Sequence, residues 1–332
     1  MPDPAIEVSH LRKVFQVVRK APGLAGALRG LFVARREEVV AVDGLDLRVE
    51  PGELVGYIGV NGAGKSTTIK LLTGILAPTS GTIRVLGRDP QRQRIANAAD
   101  IGVVFGQRSQ LWWDLPLVES LDLVARIHDV PAPARRERLD RFSEMLELGP
   151  LLPVPVRQLS LGQKMRAELA AALLHHPRVV YLDEPTIGLD VVVKDRIRAF
   201  VREQNREAGT TVVLTTHDLS DIEELCRRVV LIDRGRVIHD GTLEAIHERF
   251  GQERELTLEL ARPAPSDLRL LPGVERVEAV ERRLVLRFDR RATSAAQLSA
   301  AVMAQVEVKD FSLREPDLAA VVKRLHAGGA AP

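Results

Sequence analysis

The sequence predicts an α/β domain built on a largely parallel sheet, followed by a smaller α+β domain. Three observations lead there. Short apolar runs alternate with helical stretches through residues 1–250, the pattern of a sheet covered by crossover helices. A glycine-rich loop lies between one such run and a helix. After Phe250 the pattern changes to paired short strands in the order β-α-β-β-α-β, a small ferredoxin-like arrangement. The length of 332 residues allows about two domains.

In chain order, Ile6 to Val18 reads as a strand. Leu24, Leu28, Leu31 and Phe32 then follow helical spacing behind Pro22, as an amphipathic helix. Val39 to Val49 alternates like a strand, Leu54 to Gly59 is a short buried one, and Ser66 to Thr73 is helical. Pro131 to Leu148 and Gly162 to His175 read as helices. Val179 to Leu182 is a buried strand that ends in acids. A helix over Val191 to Ala208, a strand over Thr211 to Leu214 and a helix over Asp218 to Cys226 follow. A hairpin then turns at Asp233-Arg234-Gly235. In the second domain the strands are Glu255 to Leu260, Val274 to Val280, Leu284 to Phe288 and Val306 to Leu313. Its helices are Ser266 to Leu271, Ser294 to Ala304 and Asp317 to His326. The boundary falls at 250/251.

With 45% apolar and 28% charged residues, this is the composition of an ordinary globular chain. No run approaches 18 consecutive apolar residues, and the first residues lack the pattern of a secretion signal. One cysteine, Cys226, excludes an internal disulfide and reads as a small core residue. A net charge of +2 gives no argument for nucleic acid. Its distribution is uneven: no acid lies between His10 and Arg36, where Arg12, Lys13, Arg19, Lys20, Arg29, Arg35 and Arg36 are all basic.

Gly59-Val60-Asn61-Gly62-Ala63-Gly64-Lys65-Ser66 fits the phosphate-loop pattern G-x-x-x-x-G-K-[ST]. Glycines let successive N–H groups turn toward one point, where a helix start adds positive potential. Lys65 would reach the terminal phosphates of a nucleotide and Ser66 would hold Mg2+. Asn61, Gly62, Ala63, Gly64 and Thr67 complete the phosphate-binding set. The strand Val179-Val180-Tyr181-Leu182 delivers Asp183 and Glu184 at its C-terminal edge, where open α/β sheets bind ligands. Asp183 would orient Mg2+, and Glu184 would take a proton from the attacking water.

Leu159-Ser160-Leu161-Gly162-Gln163 lies between the phosphate loop and the acids. It resembles the L-S-G-G-Q signature of ABC proteins, with Leu161 in place of the first glycine. Residues 5–245 thus resemble an ABC ATPase, and within that family the ATP-binding subunits of ABC-2-type exporters. The segment Phe105 to Pro116, with its Trp112-Trp113 pair, the appended C-terminal unit and Glu315-Pro316-Asp317-Leu318 carry the narrower resemblance.

The resemblance implies a RecA-like core with an antiparallel β subdomain and a helical subdomain over about 108–165. Residues 19–38 form a basic amphipathic insertion. It implies ATP and Mg2+ as cofactors and ATP hydrolysis as the activity. Ser160, Leu161, Gly162 and Gln163 would bind phosphate from the opposite subunit of a head-to-tail dimer. His217 would be the switch histidine on the γ-phosphate, Asp190 the residue coupling the two sites, and Phe15 the aromatic on adenine. Gln107 would touch Mg2+ and sense the membrane partner. A second ATP-binding subunit, as a homodimer, and separate membrane permeases would be the partners, at the cytoplasmic face of the cell membrane. Trp112 and Trp113 would lie where the permease docks. The basic insertion would contact anionic headgroups or a permease; packing on the cassette's own sheet is the other reading. Export through a permease is the expected function, with a soluble ABC-type ATPase free of a permease as the alternative. One phosphate loop and one signature disfavour the tandem cassettes of ribosome-acting ABC proteins. The short spacing between them disfavours chromosome ATPases, and Lys65, Glu184 and His217 disfavour a non-catalytic regulator.

Overall fold

The computed structural model describes residues 3–19, 35–106, 108–216, 218–250, 253–265 and 268–314. The chain divides into two units, residues 1–240 and 241–332.

The first unit begins with β1 (Ile6–Arg19), β2 (Arg35–Val49), β3 (Leu54–Gly59), α1 (Lys65–Leu72) and β4 (Ser80–Val85). Then come α2 (Arg94–Asp100), β5 (Ile101–Phe105), α3 (Leu117–Ile127), α4 (Ala132–Met145), α5 (Leu161–Leu173) and β6 (Val179–Asp183). It closes with α6 (Val191–Ala208), β7 (Thr211–Thr215), α7 (Leu219–Leu225), β8 (Arg228–Asp233) and β9 (Arg236–Thr242).

Two sheets form. The larger has six strands in the order β5-β6-β7-β3-β8-β9, and β5 through β8 pair in parallel. Its central strands are buried on both faces, so they read as continuous apolar runs rather than alternating ones. The smaller sheet has the order β2-β1-β4 and is antiparallel. Both sheets and α1 contribute to one core, which includes Ile6, Leu45, Val55, Ile69, Leu71 and Tyr181. Cys226 is buried, as expected of a small core residue.

β1 and β2 pair from Ile6↔Val49 out to Arg19↔Arg35. The paired ribbon therefore extends into the segment read as an insertion over 19–38. The helical spacing at Leu24 to Phe32 lies outside the described residues. Four elements in residues 80–127, namely β4, α2, β5 and α3, are not among those expected from the sequence, although α3 buries Leu117, Leu121, Val124 and Ala125 at helical spacing. α2 is only seven residues long and has a single buried residue, Asn97, so it carries little apolar period. Some helix starts are side-chain capped. Ser160 and Gln163 form a capping box on α5, and Asp190 caps α6 by accepting from the Val193 N–H at 2.9 Å.

The second unit contains α8 (Leu243–Phe250), β10 (Glu253–Leu260), β11 (Val274–Val280), β12 (Arg283–Asp289), α9 (Ala295–Met303) and β13 (Val308–Arg314). Its sheet has the order β11-β12-β10-β13, every pair antiparallel, which is the strand order of a ferredoxin-like unit. Leu256, Leu258, Leu260, Leu284, Leu286 and Phe288 face α9, which contributes Leu298 and Val302 to a closed core. The helix expected over Ser266 to Leu271 does not form at residues 268–271. Pro265 and Pro272 bracket that stretch too tightly for a helical turn to propagate. Its leucines reach the core from irregular backbone instead. The helix expected over Asp317 to His326 lies outside the described residues. Among the described residues no helix is long and apolar enough to cross a membrane.

Candidate functional site

The phosphate loop leaves β3, the strand near the middle of the larger sheet, and enters α1. Gly62 and Gly64 take positive φ, +84° and +109°, which L side chains disfavour. A Cβ on Gly64 would also meet the Ala41 carbonyl at 2.4 Å. Glycine is therefore required there twice over. Gly64 caps α1 without a side-chain bond, so the first N–H groups of the helix stay available to an anion. The Lys65 ammonium is held against the loop carbonyls of Gly59 at 2.6 Å and Val60 at 3.2 Å. Burial lowers its pKa, while Glu184 and Asp183 oppose that shift.

The opposite wall stands at the C-terminal ends of β5, β6 and β7. Asp183 closes β6, and its Oδ1 accepts the Thr215 hydroxyl at 2.6 Å. The next residue, Glu184, adopts φ +56°, an uncommon conformation for a side-chain-bearing residue. Its N–H donates to the Thr215 carbonyl at 2.9 Å. Gly106 follows β5, and its N–H donates to the Asp183 carbonyl at 2.9 Å. A Cβ at Gly106 would crowd the Glu184 and Asp183 carbonyls, at 2.9 and 3.1 Å.

Between the walls lies an open cleft of about 600 Å3, lined by Asn61, Ser66, Phe105, Arg108, Asp183 and Glu184 among others. The structure thus brings phosphate loop and acids together across one space. Gln107 and His217 lie outside the described residues. Their flanks, Gly106 and Arg108 on one side and Thr216 and Asp218 on the other, adjoin the acid wall. Thr215, Arg108 and Gly106 were not singled out from the sequence. Arg108 lines the cleft, and among the described residues its guanidinium has no hydrogen bond or ion pair. The one available signal was its place beside Gln107.

Other expected residues are not among those lining this cleft. Phe15 is half-buried on β1, with the Lys13 ammonium 5.1 Å from its ring centre. Ser160, Leu161, Gly162 and Gln163 open α5. Leu161 is half exposed and is not among the positive-φ residues, so the backbone has no need of glycine there. Its side chain rests beside Gly188 in the Gly188-Leu189-Asp190 loop. Trp112 and Trp113 are both exposed, and the Lys164 ammonium of α5 sits 4.8 Å from the Trp113 ring centre.

Comparison with known proteins places this architecture. The family model described as "ABC transporter" matches residues 42–187. The model for the "ATP-binding protein DrrA1-3-like, C-terminal domain" matches residues 241–321. The chain is 36% identical over 285 residues to the daunorubicin resistance ATP-binding protein DrrA3 of Streptomyces coeruleorubidus, covering 84% of this chain and 88% of that one. It is 39% identical over 249 residues to the Nod factor export ATP-binding protein I of Paraburkholderia xenovorans, covering 73% and 79%. A solved dimeric ATP-binding cassette in a post-hydrolysis state with ADP and phosphate superimposes with a TM-score of 0.59. Its identity is 25%, over 72% of this chain and 98% of that one. Identity at this level across both units, joined to a phosphate loop that faces paired acids, makes the chain an ATP-binding, ATP-hydrolysing subunit of the ABC transporter family.

Proposed function

We propose that this subunit powers export through separate membrane permeases by closing on ATP as a head-to-tail dimer. The observation that carries the reading is the single cleft between residues 59–67 and the acids Asp183 and Glu184. Phosphates would be held by the N–H groups of Gly59 to Thr67 and by Lys65. Ser66 and Asp183 offer hard oxygen donors on the two sides of that cleft, which suits Mg2+; bound there, the ion would neutralise charge on the terminal phosphates. Glu184 would accept the proton of the attacking water. Gln107 and His217 would act at the terminal phosphate from the loops after β5 and β7, and Phe15 would stack on adenine. None of the residues of the α5 start, from Ser160 to Gln163, lines its own chain's cleft. That start would therefore serve a partner copy, with Asp190 linking the two sites.

Support for a dimer comes from the exposed apolar side chains beside that helix start, Leu161, Val191 and Val192, and from the dimeric state of the superimposed cassette. Support for export comes from the Nod factor export relative and from the long match to the daunorubicin resistance protein. Methionine-import ATP-binding proteins match as well, over a shorter share of this chain. The exposed Trp112 and Trp113 suit a permease contact at the cytoplasmic membrane face. The basic residues of 19–38 add attraction to anionic headgroups of about 1 kcal/mol each. The C-terminal unit, which holds none of these motifs, would support dimerisation or regulation.

Glu184→Gln tests the core of this reading. The variant is expected to bind ATP normally, lose about 10²–10⁴-fold in turnover, and accumulate as an ATP-bound dimer in size-exclusion chromatography. Hydrolysis near the wild-type rate would remove Glu184 from the role of base.

A further inference from the structure

Behind the acid wall lies a buried carboxylate that the hydrolytic scheme does not use. Asp221, on α7, is fully buried. Its Oδ2 accepts the Thr186 hydroxyl, and the Thr216 hydroxyl at 3.2 Å. Its Oδ1 accepts from Arg198 Nε at 2.7 Å and lies 2.6 Å from Arg198 Nη2 in an ion pair. Arg198 is itself only 6% exposed and reaches on to Glu224 at 2.7 Å.

The donors come from three segments. Thr186 is two residues beyond Glu184. Thr216 follows Thr215, whose hydroxyl holds Asp183 and whose carbonyl takes the Glu184 N–H. Arg198 stands on α6, the helix that Asp190 caps. One carboxylate therefore terminates the loop after the acids, the loop after β7 and the helix after residues 188–190. The Glu184 backbone sits in the left-handed region, a conformation that persists only where its surroundings hold it.

We propose that Asp221 is a positioning residue for ATP hydrolysis, setting the Glu184 loop against the end of β7 and the start of α6. The proposal rests on Glu184 as the base. A displacement of about 1 Å at reacting groups costs about 10²-fold in rate, so a clamp at this place acts on turnover rather than on nucleotide affinity. Stability alone is a weak reason for such a cluster, because well-packed apolar residues commonly replace a buried ion pair at no loss.

That contrast supplies the test. Arg198→Met combined with Asp221→Leu removes both charges and keeps bulk. Thr186→Val and Thr216→Val each remove one hydroxyl and leave the ion pair, so they remain informative if the double variant does not fold. Thr186→Ser restores the hydroxyl. ATP affinity, kcat and KM are measured for each, with Glu184→Gln in parallel. Expected results are a kcat lowered about 10²-fold in the double variant and about tenfold in Thr186→Val. KM and ATP affinity should stay within about twofold, and Thr186→Ser should return towards wild type. If folded variants keep kcat within about twofold of wild type, or if Thr186→Ser is as slow as Thr186→Val, the positioning role is overturned. Loss of turnover in Glu184→Gln alongside normal Asp221 variants would sink only this inference. Normal turnover in Glu184→Gln would sink the base assignment beneath it.

Discussion

The phosphate loop, residues 59–66, is shaped mostly by local features: two glycines at positive φ, an uncapped helix start and a lysine folded onto adjacent carbonyls, with one outside bond from the Gly235 N–H to the Ala63 carbonyl at 2.8 Å. The acid wall across the cleft is held by side chains and backbone groups from other segments. Thr215 holds Asp183, the Thr215 carbonyl holds the Glu184 N–H, and Thr186 is tied to Asp221 and through it to Arg198. A phosphate cradle asks only for N–H groups aimed at one point, which one short segment supplies. A proton acceptor must stand at a set distance from a water and a phosphate, and a single loop after a strand is too mobile for that without outside anchors.

This difference can be broken by experiment. Gly64→Ala strikes the backbone-held wall, where both φ and the Ala41 carbonyl forbid a Cβ. It should weaken ATP binding by about 10²-fold, roughly 2.7 kcal/mol, in a fluorescent-nucleotide titration. Unchanged affinity would show that the loop does not depend on this geometry.

Ser160→Arg extends the comparison to the α5 start. Its capping box with Gln163 satisfies the helix locally, so removing it costs about 1 kcal/mol of stability, too little to unfold the subunit. ATP binding by the monomer should survive, while ATP-driven dimerisation fails because charge and bulk stand where a partner's phosphate should lie. Mixed with Lys65→Ala, one intact composite site is regained and ATP-bound heterodimers should appear in light scattering. Normal ATP-driven dimerisation by Ser160→Arg alone would refute the head-to-tail arrangement.

A smaller effect concerns Asp218, beside the acid wall. Hydrogen bonds from Lys194 and Ser220 push its pKa down to about 2. Because the folded value lies below the unfolded one of about 3.9, its stabilisation is complete above that pH and lost as pH falls towards 2. Screening limits the effect to about 1 kcal/mol. Thermal midpoints of wild type and Asp218→Asn should differ at pH 6 and converge near pH 2, and a constant gap would exclude the linkage.

The smallest change is expected on truncation after Phe250, since both walls lie within residues 1–240. ATP affinity should stay within about twofold, or ~0.4 kcal/mol. A larger loss in a folded truncation would place part of the site in the C-terminal unit.

Much of this molecule is legible in one dimension. The phosphate loop, the strand ending in Asp183 and Glu184, and the capped starts of α5 and α6 are local patterns, and each forms close to where its residues indicate. α2 was not legible because so short a helix with one buried residue leaves almost no period. The leucines at 268–271 indicated a helix, but the prolines at their ends and the pull of the core produced irregular chain.

By itself the sequence determined the chemistry of the phosphate loop, the paired acids, the alternation that builds a parallel sheet and the succession of the four C-terminal strands along the chain. These depend on dihedral preferences and on neighbours only a few residues apart. Only the tertiary structure decided that Thr215 would hold Asp183, that Arg108 would line the cleft, and that Thr186, Thr216 and Arg198 would meet on Asp221. Strand order brings β5, β6 and β7 together from distant parts of the chain. No local period records which polar side chains become neighbours once water is excluded between them, and burial is what obliges each of those groups to find a partner.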